Sequence, residues 1–259
     1  MSTSTSPCLE PMCSGAQENI ARLLGVPTLR PFQHEIHTKL SHFSAYHPTS
    51  PNTTLACLPT GSGKSYIALS LLAEQYMNNL TCVVLFQCCL DRAMQGMIDK
   101  ANRVHFPLDV LVIPRDFKKV REALTSKTLT TNTLICYNPV EETSDNMLVT
   151  LMDRSAFGRV KLFCVDEIAL AAFWKDESFR PLVGKVHQLL DAFRKRHTIN
   201  AVCRLQPSVV IQTAAATPNT MQIITKHMKL PPARTIRISP DRPNLQLIVA
   251  KFTPKKIAR

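Results

Sequence analysis

The sequence predicts an α/β fold, a parallel sheet with helices over both faces. Apolar runs without polar alternation recur at 55–58, 82–86, 110–113, 133–137, 161–165 and 209–213. Runs of this kind suit strands that are buried on both faces rather than strands with one face in water. Segments with helical spacing lie between them, the alternation expected of parallel strands joined by crossover helices. One strand, turn and helix near residue 60 carries the glycine punctuation of a loop built to receive phosphate.

The elements follow in order. Residues 1–15 are Ser/Thr/Pro-rich without an apolar stretch and are expected to form a disordered leader rather than a secretory signal. A short amphipathic helix is expected over 16–25, with Ile20, Leu23 and Leu24 inward and Gly25 as its C-cap. Pro31 suits the first position of a second helix that carries Phe32, Ile36 and Leu40 on one side. Gln33 stands at its start; its amide has the donor and acceptor pair that suits adenine, while the bland role for such a Gln is a solvated helix residue. A linker is expected over 47–52. Beyond the loop, helices are expected near 91–103, 117–125, 142–156 and 178–196.

The loop reads Leu58-Pro59-Thr60-Gly61-Ser62-Gly63-Lys64-Ser65, with the helical pattern resuming at Lys64. Glycines let backbone N–H groups turn inward, the helix N-terminus adds positive potential, Lys64 supplies a cation for β/γ-phosphates and the Ser65 hydroxyl suits Mg²⁺. Leu58 replaces the first glycine of the strict phosphate-loop pattern. ATP binding is the leading expectation. About a hundred residues later an apolar strand ends in Asp166-Glu167. On a parallel sheet that end lies on the same edge as the loop. Asp166 is then placed to hold Mg²⁺ and Glu167 to polarise the attacking water, which converts ATP binding into ATP hydrolysis. A solvated turn is the bland alternative for the pair.

Composition bounds the rest. The 259 residues are 45% hydrophobic, enough for a sizeable core, and no apolar stretch is long enough to span a bilayer. Nine cysteines, odd in number and without a Cys-x-x-Cys pair, read as buried reduced thiols rather than as a disulfide or zinc framework. With 31 Lys and Arg against 19 Asp and Glu, the net charge of +12 suits an anionic partner such as nucleic acid. The basic runs at 118–121 and 194–196 each read as solvated helix faces. Trp174, the only Trp, lies with Phe179 and Arg180 in an aromatic and cationic stretch that suits either base stacking or ordinary packing.

Taken together, these segments resemble the first RecA-like lobe of the RecQ-family DNA helicases. The resemblance rests on 29–33 (Leu-Arg-Pro-Phe-Gln), the loop at 58–65, Asp166-Glu167, Trp174, Phe179-Arg180-Pro181, Thr213-Ala214-Ala215-Ala216 and Arg242-Pro243-Asn244-Leu245. It implies adenine recognition by Gln33 with Arg30 nearby, triphosphate binding by Thr60 to Ser65, and Mg²⁺ and water activation at Asp166 and Glu167. It further implies a DNA-coupling loop at Trp174, Phe179 and Arg180, and ATP-driven 3′-to-5′ unwinding of single-stranded or partly duplex DNA in the nucleus.

The implied organisation is a RecA-like ATP-binding domain over 16–245 and a basic segment over 246–259 leading to a second helicase lobe in a longer product. Departures from the family pattern are Ile168-Ala169 in place of Ala-His, Val26 where an aromatic stacks on adenine, Lys175 to Ser178 in place of Gly-His-Asp, and Ala215 where the family has Thr. Leu85-Phe86-Gln87 replaces a DNA-contact segment. These departures favour the rival expectation, a helicase-like module that binds nucleotide and nucleic acid without unwinding.

Overall fold

The computed structural model describes residues 14–46, 53–113, 115–126, 129–138, 160–170, 208–214, 216–227 and 235–239. The expected leader, the 47–52 linker, the helices at 142–156 and 178–196, Trp174, Phe179, Arg180 and everything from 240 onward lie outside or almost wholly outside these residues.

Seven parallel strands form one sheet: β1 (Thr53–Cys57), β2 (Val83–Cys88), β3 (Leu108–Ile113), β4 (Asn132–Tyr137), β5 (Val160–Asp166), β6 (Ser208–Thr213) and β7 (Thr235–Arg237), in the order β3-β4-β2-β5-β6-β1-β7. Helices α1 (Ser14–Leu23), α2 (Pro31–Tyr46), α3 (Tyr66–Met77), α4 (Asp91–Ala101), α5 (Phe117–Thr125) and α6 (Pro218–His227) complete the described elements. α1 starts two residues inside the stretch expected as leader, and α3 starts at Tyr66 rather than at Lys64. Lys64 and Ser65 therefore stand in the turn before the helix, with Ser65 at its N-cap.

The continuous apolar runs are explained by the two cores. Successive side chains on a strand point to opposite faces. Leu85, Ile135, Phe163, Val209 and Ile211 therefore join one core with Val120, Leu124 and Ile224 from α5 and α6. Val84, Phe86, Leu134, Cys164 and Val210 join the other with Ile36 from α2, Leu69 and Leu72 from α3, and Met94 and Met97 from α4. All residues of β1, β2, β4 and β6 are buried. Fully burying one Val, Leu, Ile or Phe side chain contributes about 1.5–3 kcal/mol, so a polar residue on either face is costly unless it is paired.

β2 runs through Cys88, so Leu85, Phe86 and Gln87 are buried strand residues rather than a surface segment. The chain leaves the sheet at Cys89 and Leu90 instead. Register brings the carboxyl ends of four strands level: Cys57 of β1 pairs with Thr213 of β6, and Cys88 of β2 pairs with Asp166 of β5. The loop after β1 and the acidic pair after β5 consequently open on one edge.

Candidate nucleotide site

The loop between β1 and α3 is held in shape by the chain around it. Ser62 N–H donates to the Pro59 carbonyl, and Leu58 N–H donates to the carbonyl of Thr213 on the neighbouring strand. Gly61 and Gly63 adopt φ of 77° and 93°, values that L side chains avoid. Gly63 has a second reason to be glycine: a Cβ there would lie 2.6 Å from Gln33 Nε2. Among the described residues, the N–H groups of Gly61, Gly63, Lys64 and Ser65 form no hydrogen bond, and the buried Ser62 hydroxyl has no partner. Donors left unpaired in one loop at the start of a twelve-residue helix fit the oxygens of a phosphate chain.

Two glutamines fix this loop from opposite sides. Gln33 is buried; its Nε2 donates to the Gly63 carbonyl at 2.8 Å, and its Oε1 accepts from the backbone N–H of Arg30 at 2.7 Å. Burial and these two bonds set aside the bland solvated role, because Gln33 ties the start of α2 to the loop. One amide hydrogen and one lone pair are spent on protein, which leaves one of each for a ligand. The Arg30 side chain is exposed at the same corner, and Val26 packs against the core with its neighbour Leu29. From beneath, fully buried Gln212 of β6 donates through Nε2 to the Lys64 carbonyl at 3.3 Å. Sequence reasoning missed Gln212, although a polar side chain inside Val-Val-Ile-Gln-Thr was its signal.

The acidic pair meets the loop. Lys64 Nζ lies 3.6 Å from Glu167 Oε1, with both side chains largely buried. Asp166 sits one residue earlier, its Oδ1 accepting the Glu167 N–H at 3.0 Å. Burial pushes the Asp166 carboxyl up to about 6, with Lys64 opposing that shift, Glu167 adding to it and Lys100 opposing it more weakly. Glu167 itself has φ of 55°, in the left-handed region where a non-glycine residue is strained. A carboxylate held this way at the mouth of a phosphate-type loop can take a proton from water, and Asp166 with the Ser65 hydroxyl can supply oxygen ligands to a hard divalent cation.

Ser65 is already engaged. Lys100, in the last turn of α4, donates through Nζ to Ser65 Oγ at 3.1 Å and lies 5.7 Å from the centre of the Tyr66 ring. The sequence offered no signal for this meeting, because Lys100 reads as an ordinary charged residue on an amphipathic helix. Thr213 is buried at the end of β6, and Arg237 of β7 donates to the Ala216 carbonyl at 3.3 Å, steadying the segment that follows Thr213. Pro59 is half-buried, and Thr60 and Gly61 are exposed at the loop crest. A cleft of about 530 Å³ opens beside Leu90, Asp91, Arg92 and Ala93, where the chain leaves β2.

No protein-family model matches the chain, and no curated protein matches its sequence. Its structure, however, is similar to solved helicase structures. The DUF1998 helicase MrfA superimposes with a TM-score of 0.57 over 88% of this chain and 33% of that one, at 12% identity. The same helicase bound to DNA gives 0.56 over 86% and 30%, at 15% identity. Its complex with DNA and AMPPNP gives 0.51 over 86% and 29%, at 17% identity. The chain spans about a third of the length of these proteins. Its seven parallel strands, flanked by helices on both faces, form a RecA-like α/β fold.

Proposed function

We propose that this chain is the ATP-binding lobe of a RecQ-like DNA helicase, which couples ATP hydrolysis to 3′-to-5′ movement on single-stranded DNA and to duplex unwinding in the nucleus. The observation that carries the reading is the Lys64–Glu167 pair at 3.6 Å, which joins the loop after β1 to the acidic end of β5. Unpaired loop amides and Lys64 bind the triphosphate, with Gln33 and Arg30 at the adenine. When phosphate oxygens take over Lys64, the Glu167 carboxylate is released to accept a proton from the attacking water. Ser65 and Asp166 would hold Mg²⁺, which supplies charge neutralisation at the phosphates. The MrfA complex with DNA and AMPPNP supports nucleotide and DNA as ligands of this lobe type. Trp174, Phe179 and Arg180 are proposed, from the family resemblance, as the DNA-coupling loop, and a second lobe as the partner that closes on the nucleotide.

A second reading is favoured by Ala169. It is 7% exposed and packed in a core cluster where the RecQ pattern has histidine, so no polar group is presented there to a second lobe. On that reading the chain binds nucleotide and nucleic acid without unwinding. The test is ATP hydrolysis by the whole chain with and without single-stranded DNA, beside Lys64→Ala and Glu167→Gln. DNA-stimulated turnover lost in both variants supports the helicase lobe. Nucleotide binding without turnover supports the module, and absence of nucleotide binding overturns both.

A further inference from the structure

We infer that Lys100 is a resident cation on the Ser65 hydroxyl, holding the place of a divalent ion and thereby setting how much Mg²⁺ nucleotide binding requires. This rests on the nucleotide-site reading above. Lys100 belongs to α4, which packs beside β2, β3 and β4 and contributes no backbone to the phosphate-type loop. Its half-buried side chain nevertheless reaches Ser65 Oγ at 3.1 Å and lies 5.7 Å from the centre of the Tyr66 ring. Among the described residues it makes no ion pair, although Asp166 and Glu167 stand on the same site and its charge is felt at Asp166. An ammonium that settles on a hydroxyl and an aromatic face, beside carboxylates, is positioned for that oxygen.

The hydroxyl is the point of competition. Ser65 Oγ accepts from Lys100, and a hard divalent cation would bind through the same oxygen. Two cations on one oxygen repel at close range, and partial burial leaves that repulsion poorly screened. The lysine moves, because its charge sits on a flexible four-carbon stem and the Tyr66 ring offers it a second resting place. Mg²⁺ entry is therefore an exchange of one cation for another. When Mg²⁺ is scarce, Lys100 keeps positive charge beside the phosphates.

The test is binding of a fluorescent AMPPNP analogue to the whole chain across a MgCl₂ titration and in EDTA, for wild type, Lys100→Met and Lys100→Arg, and for Lys100→Met in a Ser65→Ala background. Lys100→Met is expected to lower the Mg²⁺ midpoint by about 3- to 10-fold and to weaken binding in EDTA by a similar factor, the scale of one ordinary net hydrogen bond at a half-buried site. Lys100→Arg, which keeps the charge and controls for packing, is expected to retain the wild-type midpoint, and the Ser65→Ala background to abolish the shift. An unchanged midpoint in a folded Lys100→Met protein overturns the inference. So does equal weakening with and without Mg²⁺, the mark of a plain phosphate ligand. Wild-type protein that binds no nucleotide under any condition overturns the nucleotide reading and this inference together, an outcome distinct from the other two.

Discussion

Asp166→Asn is expected to stabilise the ligand-free protein, and the gain should depend on pH in a calculable way. The carboxyl is 8% exposed and its pKa is raised from 3.8 to about 6, chiefly by burial. A carboxyl whose folded value lies above its unfolded value contributes most stability when protonated. That contribution is complete below about 3.8 and is lost as pH rises through about 6. At 1.36 kcal/mol per pKa unit, the penalty relative to a neutral side chain is about 1.5 kcal/mol at pH 5 and about 3 kcal/mol at pH 8.

Asn preserves the shape and keeps an oxygen to accept the Glu167 N–H, so little else is lost. Urea unfolding in EDTA at the two pH values measures the difference directly. The Asn protein should be more stable at both, with the advantage roughly doubling from pH 5 to pH 8, and it should lose hydrolysis. Equal or lower stability at pH 8 would refute the reasoning, since attraction to Lys64 and Lys100 would then outweigh desolvation.

Two further outcomes follow from other parts of the site and core. Gly63→Ala should cost about 1–3 kcal/mol and weaken nucleotide binding, because φ is 93° and the added Cβ meets Gln33 Nε2 at 2.6 Å. Adding Gln33→Ala should recover only part of the loss by removing the clash and not the φ strain; full recovery in urea unfolding would show that the backbone angle is unimportant. The six described cysteines are buried, and burial pushes Cys82 and Cys136 up to about 12, Cys88 higher still and Cys164 well above the ordinary thiol range. A thiol reagent at pH 8 should therefore leave Cys57, Cys82, Cys88, Cys89, Cys136 and Cys164 unmodified until denaturant is added, and mass spectrometry of rapid labelling at any of them would contradict the packing.

The strands at 55–58, 82–86, 133–137, 161–165 and 209–213 were legible because burial on both faces leaves an unbroken apolar run, and the structure puts strands there. The loop and acidic pair were legible because glycines, lysine and a strand-terminal Asp-Glu are local patterns. β7 was not, since three residues of Thr-Ile-Arg carry too little periodicity to stand out from coil. The tie from Gln33 to the loop, and Gln212 and Lys100 altogether, were missed for another reason. Each acts on a partner 30, 148 or 35 positions away, and side-chain hydrogen bonds across such spans leave no trace in local spacing. Likewise the extent of β2 past Phe86 depends on its pairing with β4 and β5 rather than on its own residues.

The left-handed backbone at Glu167 has a consequence for anyone who evolves this protein in the laboratory. Asn or Gly adopts φ of 55° with less strain than Glu, and either would remove a charge that raises the Asp166 pKa. A library sorted purely for heat resistance or soluble yield should therefore enrich replacements at position 167, and those survivors would lack the carboxylate proposed to activate water. Selection on thermal tolerance alone would select against turnover at that codon. Screens should hold it fixed or alternate sorting for stability with sorting for turnover.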